Sequence, residues 1–178
     1  LEVLSFLEKR RGKLEAVSVT GGEPTLQPDL EDFLQKVKDF EYLVKLDTNG
    51  SNPVVIEKLI KRQLVDFWAM DVKGPLDKYP RIAGVDIDPA DIRKSISLII
   101  SAGAEHEFRT TVVSSLLDRN DLARVVKLIK GAKYYALQGL VPVKTLSSDF
   151  LSETTYLPEE FSALKKEFES EELHVIIR

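Results

Sequence analysis

The sequence predicts an α/β fold of parallel strands joined by helices. Short β-branched runs alternate with apolar stripes of helical period along the whole chain, in the order α-βα-βα-βα-βα-βα-β. The composition is 43% apolar and 30% charged, a balance that fills a soluble core. No composition shift or low-complexity linker interrupts it, so residues 1–178 read as a single domain.

The elements follow in order. Residues 1–11 carry Leu1, Leu4 and Leu7 before Gly12, an amphipathic helix closed by a glycine. Residues 16–19 form a compact strand that runs into Thr20-Gly21-Gly22-Glu23-Pro24, a turn no strand continues through. From Asp29 onward Leu30, Phe33, Leu34 and Val37 make the stripe of a helix packed on one side. A strand at 43–46 ends in Asp47-Thr48-Asn49-Gly50, and Asn52-Pro53 supplies the N-cap and first-turn proline of a helix with Ile56, Leu59 and Ile60 inside. Residues 65–72 read as the third strand and 74–88 as a longer loop. Asp88-Pro89 then caps a helix bearing Ile92, Ile96 and Ile99, ended by Gly103. A strand at 108–113, a helix at 122–129 and a strand at 134–138 follow. Residues 140–157 read as irregular. Pro158 opens a helix with Phe161, Leu164 and Phe168 on one face, and residues 173–177 form the last strand. Periodicity alone leaves two architectures open, a doubly wound open sheet and a full or partial barrel.

Composition excludes several function classes. Twenty-five Lys and Arg against 29 Asp and Glu leave a net charge of −4, with no excess positive field for a nucleic-acid backbone or an acidic membrane. No apolar run approaches the length of a membrane span and none resembles a secretory leader, so the expected location is the cytoplasm. There is no cysteine, so these residues hold neither a disulfide nor a thiolate-bound zinc or iron-sulfur site. The chain opens at Leu1 without a methionine and directly in a helix, which suggests a fragment.

Parallel α/β folds assemble their sites at the carboxyl ends of the strands. The polar residues expected there are Gly21, Gly22, Glu23 and Pro24 after the first strand, Asp47 and Thr48 after the second, and Asp71 and Lys73 after the third. Arg109 and Thr111 lie on the fourth strand and Gln138 ends the fifth. Alternation puts Asp71 and Lys73 on one face, Lys45 with Asp47, and Arg109 with Thr111, so several charges share one interior. The Gly-Gly-Glu-Pro turn is a poor phosphate cradle, because it offers a carboxylate and a proline without an N–H. It suits a primary ammonium, held by turn carbonyls and Glu23. Taken alone, the turn reads first as an ordinary cap of the next helix, and Asp71 with Lys73 equally as a structural ion pair. Arg109 inside an aliphatic strand demands a carboxylate of the protein or of a ligand. Together the rim could host a zwitterion, ammonium near Glu23 and carboxylate near Lys73 or Arg109.

The histidines contribute little. His106, between Glu105 and Glu107, sits where the fourth strand begins and is expected to be solvated; His174 suits a surface or pairing role. Ser147 and Ser148 lack a nucleophile-elbow context, which argues against a hydrolase.

Four ordered segments then carry a resemblance. Residues 17–24 (Val-Ser-Val-Thr-Gly-Gly-Glu-Pro), 47–50 (Asp-Thr-Asn-Gly), 71–73 (Asp-Val-Lys) and 108–113 (Phe-Arg-Thr-Thr-Val-Val) resemble the radical S-adenosylmethionine enzymes. Within them the chain is similar to the activating enzymes of glycyl-radical proteins, such as those of anaerobic ribonucleoside-triphosphate reductase and pyruvate formate-lyase. The resemblance implies a partial TIM-like (βα)6 barrel with S-adenosylmethionine and a 4Fe-4S cluster at the strand ends. It implies that Gly21, Gly22, Glu23 and Pro24 bind the methionine amino group, that Lys73 and Arg109 meet its carboxylate, and that the turn at 138–141, beginning at Gln138, approaches the adenosine. Asp47, Thr48 and Asp71, with a carbonyl at Ala69, would line a monovalent cation site. The implied chemistry is reductive cleavage of S-adenosylmethionine to methionine and a 5′-deoxyadenosyl radical, which takes hydrogen from a glycine of the partner protein. The implied partners are a glycyl-radical protein and an electron donor such as flavodoxin or ferredoxin, under anaerobic conditions. The family holds its cluster in a Cys-x-x-x-Cys-x-x-Cys loop after the first strand, and this chain has no cysteine. That strand and loop would lie upstream of Leu1, the chain as given would be inactive, and residues 16–19 would expose an apolar edge where the strand would pair. Two alternatives are a radical enzyme acting on another peptide or a nucleoside, and a non-enzymatic barrel that binds S-adenosylmethionine or a partner.

Overall fold

In a computed structural model, residues 2–140, 154–170 and 172–178 are described. Helix α1 (Glu2–Lys9) leads into β1 (Ala16–Val19), a 3₁₀ turn (Pro24–Leu26), α2 (Leu30–Asp39), β2 (Leu43–Thr48), α3 (Pro53–Lys61) and β3 (Phe67–Asp71). Then come α4 (Tyr79–Ala83), α5 (Pro89–Ser101), β4 (Glu105–Val112), α6 (Arg119–Leu128), β5 (Tyr134–Gly139), α7 (Pro158–Phe168) and β6 (His174–Ile177).

The six strands form one open sheet in the order β1-β2-β3-β4-β5-β6, and every pairing is parallel. That order decides the architecture. A doubly wound sheet reverses its direction of growth, whereas right-handed crossovers that always step the same way put every helix on the same face. One face carries Val44, Leu46, Trp68, Met70, Phe108, Tyr135, Leu137 and Val175, all buried in the core. The other face carries Lys45, Asp47, Asp71, Glu107 and Arg109. The result is the partial barrel of parallel strands, with charged side chains lining its inner face.

Local signals explain the elements. The α2 stripe buries Leu30, Leu34 and Val37. Asn52 caps α3 by accepting from Val55 N, and its amide donates to the Thr25 carbonyl at 3.0 Å, which ties the second turn to the first. Asp88 caps α5 by accepting from Ala90 N at 2.8 Å. Asp118 and Asp121 form a reciprocal capping box on α6.

Several expectations are corrected. Asp47 and Thr48 close β2 rather than standing in a turn, because the pairing of β2 with β3 runs on to Thr48 and Met70. The stretch 74–88 contains α4, whose Tyr79 is buried. Strand β4 begins at Glu105, earlier than its β-branched run suggests, because it pairs with β3 from Phe67 onward. His106 is not solvated: it is 3% exposed on the helix-covered face, with Nδ1 3.0 Å from the Ala104 carbonyl and the ring edge-on to Phe108. His174 is exposed and packs against Tyr134. Among the described residues β1 pairs only with β2, and Leu14 and Leu43 beside it are exposed. Val141, Ser147 and Ser148 lie outside the described residues.

Candidate active site at the strand ends

The site starts at the end of β1. Gly21 and Gly22 have φ of 98° and 53°, consecutive left-handed conformations that residues with a side chain rarely adopt. They reverse the chain and deliver Glu23 inward as the N-cap of the 3₁₀ turn. Its Oε1 accepts from Thr25 N at 3.2 Å, Thr25 Oγ1 at 2.6 Å and Thr48 Oγ1 at 2.8 Å; its Oε2 accepts from Asn49 N at 2.6 Å. Oε1 is thus saturated by three donors, while Oε2 accepts only from Asn49 N and keeps one acceptor site, and Glu23 lines a cavity at the strand ends. Glu23 thereby ties the turns after β1 and β2 together. The Thr48 hydroxyl is engaged as well, since it donates to Glu23 and accepts from Gly50 N at 3.0 Å.

The next two strands supply the charge. Asp47 on β2 faces Lys45 and the Arg109 Nη1 at 3.3 Å, and Asp71 on β3 accepts from Arg109 Nε at 2.8 Å and Lys73 Nζ at 3.3 Å. Burial acts to raise the Asp47 pKa, but the Lys45 hydrogen bond, the Arg109 charge and a hydrogen bond from Thr20 outweigh it and hold the carboxyl below its usual range. Burial acts to lower Arg109, and the charges of Asp71 and Asp47 more than offset it. The guanidinium is therefore a fixed cation bridging two strands. Ala69, which takes no solvent, lies in register between Asp47 and Glu107, and its lack of bulk leaves room for that bridge.

Glu23, Asp47, Thr48, Asp71 and Arg109 converge with Thr20, Gly22 and Asn49 on one cavity of about 90 Å³. Lys73 stands at its rim through Asp71. Gly21 and Pro24 line an adjoining groove with Thr20, and Gln138 sits on β5 in register with Thr111, away from the cavity wall. Sequence reasoning missed Thr20 and Asn49. Thr20 continues the parity of Ser18 toward the open face, which is a usable signal, but the backbone N–H of Asn49 leaves no trace in side-chain chemistry. Among the described residues no group of three His, Cys, Asp or Glu side chains suits a metal ion.

A family model described as the radical SAM superfamily matches residues 1–132, a span that includes all four strands of the cavity. The chain belongs to the radical SAM superfamily. A Methanocaldococcus jannaschii protein named as a candidate glycyl-radical enzyme activating enzyme is 36% identical over 141 residues, 76% of this chain and 59% of that one. A 7-carboxy-7-deazaguanine synthase of Thermococcus kodakarensis is 28% identical over 145 residues, 80% of this chain and 54% of its own length. The chain thus spans little more than half the length of these curated relatives. Among solved structures, a domain of the pyruvate-formate lyase-activating enzyme of Bacteroides vulgatus superposes with a TM-score of 0.68 at 16% identity, covering 93% of this chain and 99% of that one. Streptococcus suis SuiB bound to S-adenosylmethionine superposes with a TM-score of 0.75 at 14% identity, covering 99% of this chain and 43% of that one. At such identities these likenesses speak for the radical SAM fold. The 4Fe-4S cluster that the superfamily implies finds no thiolate among these 178 residues, so the chain supplies it no ligand.

Proposed function

We propose that this chain is the S-adenosylmethionine-binding part of a radical enzyme that activates a glycyl-radical partner protein. The observation that carries the reading is the convergence of three carboxylates, Glu23, Asp47 and Asp71, with the Arg109 guanidinium on one small cavity at the strand ends. The cavity is small, about 90 Å³, and its wall is polar and charged, which suits the zwitterionic end of an amino acid. In this reading the carbonyls of Gly21 and Gly22 receive the ammonium together with the remaining acceptor site of Glu23 Oε2 and with Asp47 and Asp71. Pro24 and Glu23 hold the turn in shape, Arg109 and Lys73 receive the carboxylate, and the rest of the molecule lies over the open sheet face toward Gln138. A monovalent cation at Asp47, Thr48 and Asp71 would compete with Lys45, Lys73 and Arg109 for the same oxygens, and would draw on the Thr48 and Ala69 carbonyls. S-adenosylmethionine supplies the radical chemistry when bound. The residues of this chain orient it and keep its charged end out of water.

The partner is argued from the relative 36% identical to this chain. A glycyl-radical protein and a one-electron donor, flavodoxin or ferredoxin, acting in an anaerobic cytoplasm, complete the proposal. A second reading, a deazaguanine synthase, is favoured by the relative that aligns with 80% of this chain. Electron paramagnetic resonance separates the two. The reconstituted product of the whole gene, given reductant, S-adenosylmethionine and a glycyl-radical protein from the same genome, is expected to produce a glycyl-radical doublet on the partner. Turnover of a deazaguanine precursor without that doublet would establish the second reading. Translating the codons upstream of Leu1 is the first step, and a Cys-x-x-x-Cys-x-x-Cys run there is expected.

A further inference from the structure

The connection between β3 and α5 carries a buried phenol directed at the backbone of the site. Tyr79, on the short helix α4, is 1% exposed. Its hydroxyl accepts from Lys73 N at 3.2 Å and donates to the Asp71 carbonyl at 3.3 Å. The same three residues, 71–73, present Asp71 to Arg109 and Lys73 to Asp71. Asp71 is the last residue of β3, and Val72 N still donates to the Arg109 carbonyl at 2.8 Å. The Val72 carbonyl is still held from β4 by the Thr110 hydroxyl at 2.7 Å, and the next N–H, that of Lys73, turns from the sheet to Tyr79.

Helix α4 is held firmly enough to serve as a support. A Cβ on Gly74 would stand 2.6 Å from Ile82 Cδ1 and 3.1 Å from Leu117 Cδ2, so α4 packs directly on the backbone that leaves β3. At its other end Lys78 Nζ donates to Asp121 at 2.7 Å, and Asp121 is the buried capping acid of α6. Burial pushes the Tyr79 phenol up to about 12, so it is protonated at neutral pH and able to donate to Asp71 O.

We propose that Tyr79 is a positioning residue that fixes the relative placement of Asp71 and Lys73, and thereby makes the cavity selective for ligands that carry an amino-acid zwitterion. The inference rests on the headgroup reading given above. Residues two apart on a strand share a face only while the backbone stays extended. Past the last ladder bond the Thr110 hydroxyl holds the middle of the 71–73 stretch at the Val72 carbonyl, and the phenol restrains both of its ends. Without it a ligand must itself order these residues, and the ordering entropy is subtracted from its affinity.

The test titrates the ¹⁵N-labelled chain by NMR with S-adenosylmethionine, L-methionine and 5′-methylthioadenosine, which lacks the amino-acid end. Tyr79→Phe keeps the ring and removes only the hydroxyl. One or two lost hydrogen bonds are expected to weaken S-adenosylmethionine and methionine about three- to tenfold, and 5′-methylthioadenosine by less than about twofold. The Lys73 amide is expected to exchange faster. Equal weakening of all three ligands would mean general loosening, and no weakening would mean no positioning role; either overturns the proposal. If the unsubstituted chain takes 5′-methylthioadenosine but not methionine, or takes none of the three, the headgroup reading itself fails, and the role of Tyr79 falls with it.

Discussion

Replacing Glu23 by glutamine tests whether the carboxylate of the Gly-Gly-Glu-Pro turn acts as the lock between two strand ends. The change conserves volume and removes one acceptor oxygen. Glu23 is 8% exposed and accepts from four donors, three at Oε1 and one, Asn49 N, at Oε2. The better amide orientation puts its carbonyl where Oε1 stands and turns its NH₂ toward Asn49 N, donor against donor, across a former 2.6 Å contact. One bond is lost outright, at about 1–3 kcal/mol for a buried donor left unpaired. The other three fall from charge-assisted to neutral strength, about 1 kcal/mol each, and relief from burying a charge offsets part of the sum. A net loss of about 3 kcal/mol follows, which for a chain of this size lowers the melting temperature by about 6–12 °C. Thermal unfolding followed by circular dichroism reads the shift, and hydrogen exchange at Asn49 locates it. A melting temperature within about 2 °C of the parent, with Asn49 still protected, would refute the argument that Glu23 holds the turns together.

Three further outcomes follow from the same geometry. Arg109→Gln removes a positive charge from both aspartates, so the Asp47 carboxyl, now held low, should titrate closer to its ordinary value; ¹³C NMR of the labelled carboxyl checks this. Because the folded Asp47 pKa is depressed, its contribution to stability is present above the ordinary carboxylate pKa of 3.8 and disappears as pH falls through the folded value. Denaturant midpoints measured across the acid range should therefore fall less steeply in Arg109→Gln than in the parent. Gly21→Ala, at φ 98°, meets no neighbouring atom, yet the backbone conformation itself should cost about 1–2 kcal/mol and shift the amides of residues 20–25. Leu34→Ala, at a position without solvent exposure, should lower stability by about 2–5 kcal/mol in urea unfolding while leaving ligand titrations unchanged.

Much of the fold was legible in the sequence because short parallel strands and amphipathic helices announce themselves locally. Strand β1, the α2 stripe at Leu30, Leu34 and Val37, and the caps at Asn52 and Asp88 stand where pattern and capping chemistry put them. Helix α4 escaped because five residues around a proline carry no period to read. His106 looked solvated because its flanking glutamates are polar, yet alternation puts it on the opposite face from them, beside Phe108. The convergence of Glu23, Asp47, Asp71 and Arg109 could be anticipated from strand-end positions and parity.

The sequence by itself determined the α/β class, the polar residue types at each strand end and the side of the sheet on which Asp47, Asp71 and Arg109 fall, since each depends on nearest neighbours and a period of two. Only the tertiary structure decided how those groups divide their bonds. The guanidinium of Arg109 lies between two aspartates from neighbouring strands, the Glu23 carboxylate is tied by donors 2, 25 and 26 residues away, and the phenol of Tyr79 closes on the backbone of Asp71 and Lys73. Those partners are chosen by strand order and register, which bring together residues far apart in the chain and which no local pattern encodes.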